Sequence, residues 1–198
     1  MAAPRPNIPR GPNVLRRPNI LRGIVRVARG RADGIEQFAG TVQGFLASLA
    51  PLIAFPLVGT GLLLLNGGGA PAITDLLATI AVLLAPPVLS FELARLWGRQ
   101  PRWLRFATAF NWCQWLLPML ASVLLMALGM LQRAGLPEHA ATGVLVLGLG
   151  GYALWLHWFL ARHGLALSRF RAALLVVGVN FGTALLVLVP RLLALQRT

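Results

Sequence analysis

The sequence predicts an all-α, polytopic membrane protein of five transmembrane helices, N-terminus in and C-terminus out. Three observations predict it. Five long apolar runs, roughly 44–65, 72–94, 106–131, 141–161 and 170–190, divide the 198 residues. Each suits a helix crossing a hydrocarbon core of ~30 Å, which takes about 20 residues. The composition, 57% hydrophobic and 12% charged, lies outside the range of an ordinary globular domain. The arginines, finally, fall almost wholly in alternate loops.

Helices are the expected element because each span then satisfies its own backbone hydrogen bonds in lipid. The two-residue alternation of a membrane barrel is absent. Eight arginines precede the first run: Arg5, Arg10, Arg16, Arg17, Arg22, Arg26, Arg29 and Arg31. Arg95, Arg99, Arg102 and Arg105 lie between spans two and three, and Arg162, Arg169 and Arg171 between spans four and five. Only Arg133, Arg191 and Arg197 fall on the other side. Positive loops stay cytoplasmic, which sets the orientation. All six tryptophans, Trp97, Trp103, Trp112, Trp115, Trp155 and Trp158, fall in the same half, where such rings prefer the headgroup level.

The net charge of +13 rests on arginine, with no lysine. That bias suits a GC-rich bacterial genome, so the expected location is the bacterial inner membrane, multi-pass. About 40 polar or mixed residues precede the first run, which is not the pattern of a cleaved signal peptide. The chain divides into a basic Pro/Asn-rich cytoplasmic arm (1–23), an amphipathic interfacial segment (24–40), a five-helix transmembrane domain (41–191) and a short tail (192–198).

The arm repeats every six residues: Pro6-Asn7-Ile8, Pro12-Asn13-Val14 and Pro18-Asn19-Ile20, trailed by Arg10, Arg16 and Arg22. Repeated proline disfavours helix and ladder, so an extended or disordered arm is expected. Arg5, Arg10, Arg16, Arg17, Arg22 and Arg26 are the residues expected to contact lipid headgroups. Anionic phospholipid is the expected partner, at about 1 kcal/mol per cation near the surface. Docking on an acidic protein is the alternative. No aromatics interleave these arginines to stack bases, so nucleic acid is not an expected partner. Beyond the arm, Asp33 and Glu36 have the spacing of an N-cap with an acid at the third helical position, and a bend is expected near Gly40.

Ionisable and amide side chains inside spans are candidate functional residues. Glu92 and Arg95 have the spacing of a same-face ion pair at the cytoplasmic end of span two. Asn111 and Gln114 share a face of span three and suit hydrogen bonding between helices. His157 suits a packed histidine, and Asn180 lies in the small-residue motif Gly178-Val179-Asn180-Phe181-Gly182, which permits close helix approach. Asp75 and Glu138 sit at expected helix N-termini, where negative charge is favoured. Pro51, Pro56, Pro86, Pro87 and Pro118 should kink their spans. Cys113 is the single cysteine, so no internal disulfide forms. No catalytic triad, metal motif or cofactor motif stands in the sequence.

The segments Gly40-Thr41-Val42-Gln43-Gly44-Phe45, Ala109-Phe110-Asn111-Trp112 and Tyr152 to Arg162 resemble a group of small alphaproteobacterial inner-membrane proteins. Their five-span layout is similar to that of the Yip family, whose eukaryotic members act with small GTPases in membrane traffic. The likeness covers about residues 24–187. This chain has Gln43 where that group has glutamate, Leu46 where it has tryptophan and Phe110 where it has tyrosine. The resemblance supplies no catalytic residue. The expected function is a non-enzymatic interaction or membrane-organising protein, acting with a membrane-protein partner or as a homo-oligomer. The alternative is a small-solute or proton-coupled transporter using Glu92, Asn111 and Gln114.

Overall fold

The computed structural model describes residues 19–195. The first two copies of the Pro-Asn repeat lie outside them, as do Arg5, Arg10, Arg16, Arg17 and Arg197. The described chain is all-helical: α1 (Ile20–Ala28), a short 3-10 segment (Ala32–Gln37), α2 (Val42–Leu65), α3 (Gly69–Leu96), α4 (Gln100–Gln114), α5 (Leu116–Arg133), α6 (Glu138–Gly164) and α7 (Arg169–Leu195). Five stretches are long and apolar enough to cross a membrane: α2, α3, α4 with α5, α6, and α7 as far as Val189. This is the layout of a multi-pass integral membrane protein.

Helix α1 starts inside the expected arm. Asn19 is its N-cap, the side chain accepting from Arg22 N–H at 3.0 Å. Proline just outside a helix and asparagine at the cap together form a start signal. The arm boundary at residue 23 therefore falls within a helix. The acidic cap expected at Asp33 is also absent, since the cap of the 3-10 segment is Arg31 and no side chain caps it. Asp33 instead accepts from Arg26 at 2.6 Å and Arg31 at 3.3 Å. The chain then turns at Ala39-Gly40 into α2, where Thr41 caps the helix by accepting from Gly44 N–H at 3.1 Å.

Span three differs most from its expected bounds. It starts at Gln100, not near 106, and is 34 residues long. Gln100-Pro101-Arg102 reads as loop, yet proline is favoured in a first helical turn because its missing N–H is unpaired there anyway. The span breaks between α4 and α5 at Trp115, whose N–H bonds Trp112 O at 3.3 Å, three residues back. Pro118 withholds the donor that Gln114 O would otherwise receive. The early start also places Trp112 and Trp115 several turns into the span rather than in its first turns. Span two begins at Gly69, so Asp75 lies in its second turn rather than at its start.

Helices α2, α3, α7, α6 and α4 pack in that order around a closed ring, while α5 packs along α6. Helix α1 and the 3-10 segment lie against α4 and α6 at one end and form a collar. Gly34 is needed there because an added Cβ would meet Arg26 Cβ at 2.7 Å and Gly23 O at 2.9 Å. The tightest burial clusters at this end, around Val27, Phe38, Phe106, Leu160 and Leu165.

Candidate functional site

Two regions bring the expected residues together. The first is the collar. Eleven described arginines stand at this end of the bundle, from Arg22 in α1 to Arg171 in α7, and Arg133 and Arg191 stand at the far end. Helix α1 turns Gly23 and Val27 inward and leaves Arg22 and Arg29 outward. Leu21, 76% exposed, and Val25, 47% exposed, share that outer side. Arg26 does not join the outward set, because its guanidinium is spent on Asp33. Tyr152 Oη donates to Ala28 O at 3.2 Å and ties α1 to the flank of α6. Between the 3-10 segment and α4 lies a cleft of about 570 Å³ lined by Asp33, Glu36, Arg102, Arg105 and His163. Asp33 Oδ1 is buried there with no hydrogen-bond partner among the described residues.

Glu92 and Arg95 form the ion pair their spacing suggests, at 2.9 Å, on the exposed end of α3. Exposed pairs of this kind are worth little, about 0–1 kcal/mol. The pair does not line the second region.

That second region is a cavity of about 290 Å³ within the ring, lined by Asn111, Gln114, His157, Asn180 and Thr183 on apolar walls from α2, α3, α4 and α7. Four of the intramembrane residues singled out from sequence thus face one space. Asn111, 2% exposed, donates to Ser48 Oγ at 3.0 Å and so joins α4 to α2. Ser48 in turn donates to Phe45 O at 2.6 Å. Gln114 Nε2 stands 3.4 Å from His157 Nε2, and the His157 ring packs on Phe110 with centroids 4.8 Å apart. Asn180 donates to Val176 O of its own helix at 2.8 Å. Its flanking glycines face α3: an added Cβ at Gly178 would meet Leu93 at 3.7 Å, and at Gly182 would meet Leu89 at 2.8 Å. The small-residue motif therefore serves a contact within the chain.

Ser48 and Thr183 were missed from sequence. Single hydroxyls in a span carry no local signal, and the partners Asn111 and Ser48 are 63 residues apart. Among the described residues, no group of three or more His, Cys, Asp or Glu side chains could hold a metal ion. No family model, curated protein or solved structure matches the chain.

Proposed function

We propose that the chain is a non-enzymatic protein of the bacterial inner membrane that organises lipid or a membrane partner through its arginine-rich collar, with the N-terminus cytoplasmic. The observation that carries this reading is the concentration of arginines at the collar end, eleven described ones against Arg133 and Arg191 at the other. Cationic loops are retained in the cytoplasm, and anionic headgroups attract them. The outward Leu21 and Val25 beside Arg22 and Arg29 fit a helix resting partly in the lipid interface.

Lipid retention by the full chain tests the collar. Native mass spectrometry from mixed nanodiscs should show phosphatidylglycerol retained over phosphatidylcholine. Arg22, Arg29, Arg102 and Arg105 changed together to glutamine should lower that preference several-fold, and an unchanged preference sinks the reading. Orientation has its own test. A phosphatase that works only in the periplasm should be active when fused after Thr198 and inactive when fused within residues 98–102.

The transporter alternative draws support from the cavity, which Asn111 and Gln114 line. It would have to run without Glu92, which is held at the exposed end of α3 by Arg95. A proton-coupled form resting on that carboxylate is correspondingly weaker. Uptake assays in proteoliposomes with Asn111→Ala and Gln114→Ala would separate it from the organising role.

A further inference from the structure

The cavity inside the ring has an unusual hydrogen-bond inventory. In an unbroken α-helix each carbonyl accepts from the N–H four residues on. Pro56, Pro86, Pro87 and Pro118 have no N–H to give. The carbonyls so deprived belong to Leu52, Val82, Leu83 and Gln114, and all four residues line the cavity. Pro51, by contrast, deprives Ala47, which does not line it. Among the described residues no side chain donates to any of the four carbonyls; the span hydroxyls of Ser48, Ser90 and Ser122 serve Phe45, Pro87 and Pro118 instead.

The side chains add more acceptors. Asn111 and Asn180 each spend one N–H on a protein oxygen, and Gln114 turns its nitrogen toward His157. Their three amide oxygens accept nothing from the described residues. Four residues whose carbonyls lose the usual i+4 donor and three amide side chains therefore line one space, in which unmet polar groups are costly. No charged side chain lines it. A bare cation would lack a counter-charge, and an anion would face these acceptors with only the remaining amide N–H groups of Asn111, Gln114 and Asn180 to donate to it.

The occupant that fits is uncharged and rich in donors. Its size is bounded too, since about 290 Å³ is at the small end of ligand pockets, which run about 300–1,000 Å³. That suits a compact head rather than a whole lipid. Asn180 is an exposed residue of α7 and also lines the cavity, so the space reaches the bundle surface, where an acyl chain could lie. The lining residues stand roughly two to four turns in from the collar ends of their helices. Tyr152 and Trp155, little more than a turn or so deeper than His157, flank α1 and Gly30. Amphipathic rings of this kind mark the headgroup boundary, where a glycerol head resides.

We infer that this cavity binds the polyhydroxyl head of an uncharged single-chain lipid of the monoacylglycerol class, with hydroxyls donating to the proline-freed carbonyls and to the amide oxygens. The inference stands apart from the collar, which reads anionic lipid at a different place.

The test is native mass spectrometry of the full chain from phosphatidylcholine nanodiscs doped with monoolein, methyl oleate or oleate. The three share one chain and differ in the head. Monoolein should be retained several-fold over both others. Asn180→Leu should abolish the preference; its only bond is to its own helix, so the fold should survive, and Thr183→Val is the parallel variant. Pro86→Ala restores the donor for Val82 and should cut retention several-fold, while Pro51→Ala should leave it unchanged. Equal retention of the three probes overturns the inference. So does an equal effect of Pro51→Ala and Pro86→Ala, which would mean that kinks in general matter rather than these carbonyls. A melting temperature raised by potassium over choline chloride, without monoolein retention, overturns it in favour of a cation.

Discussion

The bond between Asn111 and Ser48 should behave as a measurable coupling between α4 and α2. Asn111 donates to Ser48 Oγ at 3.0 Å, and Ser48 keeps its own proton on Phe45 O. Truncation in Asn111→Ala thus leaves no orphaned donor on Ser48. It removes one interhelical hydrogen bond, worth about 0.6–1.7 kcal/mol in membrane bundles, and it enlarges a cavity that Asn111 already lines. Ser48→Ala removes the same bond from the other side. The enlarged space contributes equally with and without Ser48, so it cancels in a double-mutant cycle. The double variant should cost less than the sum of the singles by about 0.6–1.7 kcal/mol, roughly three- to twenty-fold in the unfolding constant. Reversible unfolding in bicelles by steric trapping reads this directly. Additivity within about 0.3–0.5 kcal/mol would refute the bond as a tie between the helices.

Other substitutions probe the collar and the seam. Gly34→Ala forces its Cβ against Arg26 and Gly23, so it should destabilise the collar by about 1–3 kcal/mol; faster amide exchange across α1 with α3 and α7 unchanged is the expected pattern. Gly182→Ile places a branched side chain against Leu89 and should lower the melting temperature of the full chain, whereas Gly129→Ala, with nothing near its Cβ, should not. For the arm, peptide 1–30 should bind anionic vesicles at low salt and release as ionic strength passes physiological values. Serine at positions 7, 13 and 19 should leave that binding unchanged, since serine caps a helix as well as asparagine does. Loss of binding would mean that a specific partner reads the six-residue spacing.

The number of spans was legible because hydrocarbon thickness sets their length, and nothing in the loops obscures the apolar runs. Helix ends were less legible where a helix leaves the apolar run. Gln100 to Arg105 carries two arginines and a proline and resembles a loop, yet α4 begins there because α1 and the 3-10 segment pack against it. Asn19 follows a proline in a repeat that resembles a breaker, yet its side chain caps α1 by accepting from Arg22 N–H. Asp33 shows the opposite failure. Its spacing to Glu36 fits a cap, but Arg26, seven residues back, competes for the carboxylate at 2.6 Å and wins. A charge-assisted bond to arginine is stronger than a neutral one to a backbone N–H. Pairs close in sequence, such as Glu92 and Arg95, could be read from spacing alone; Gln114 and His157, 43 residues apart, could not.

The prolines link the fold to the candidate site. Each was legible as a kink, and a kink taken singly says nothing of function. What the sequence conceals is that prolines in α2, α3 and span three deprive carbonyls of residues around one space. Pro56, Pro86, Pro87 and Pro118 belong to three different spans, so only the packed ring brings their consequences together. In lipid a helix tolerates a broken backbone bond where another group can meet the freed carbonyl. Among the described residues no amide side chain does so: Asn111 and Asn180 each donate one N–H elsewhere, and Gln114 turns its nitrogen toward His157. Carbonyls that lack their usual i+4 donor would favour an occupant that carries donors, which is the ground of the inference drawn for the cavity. The same inventory explains why Glu92 contributes nothing to the cavity: a carboxylate would add a charged acceptor to a space already short of donors. Its place at the exposed end of α3, paired with Arg95, is where that charge costs least.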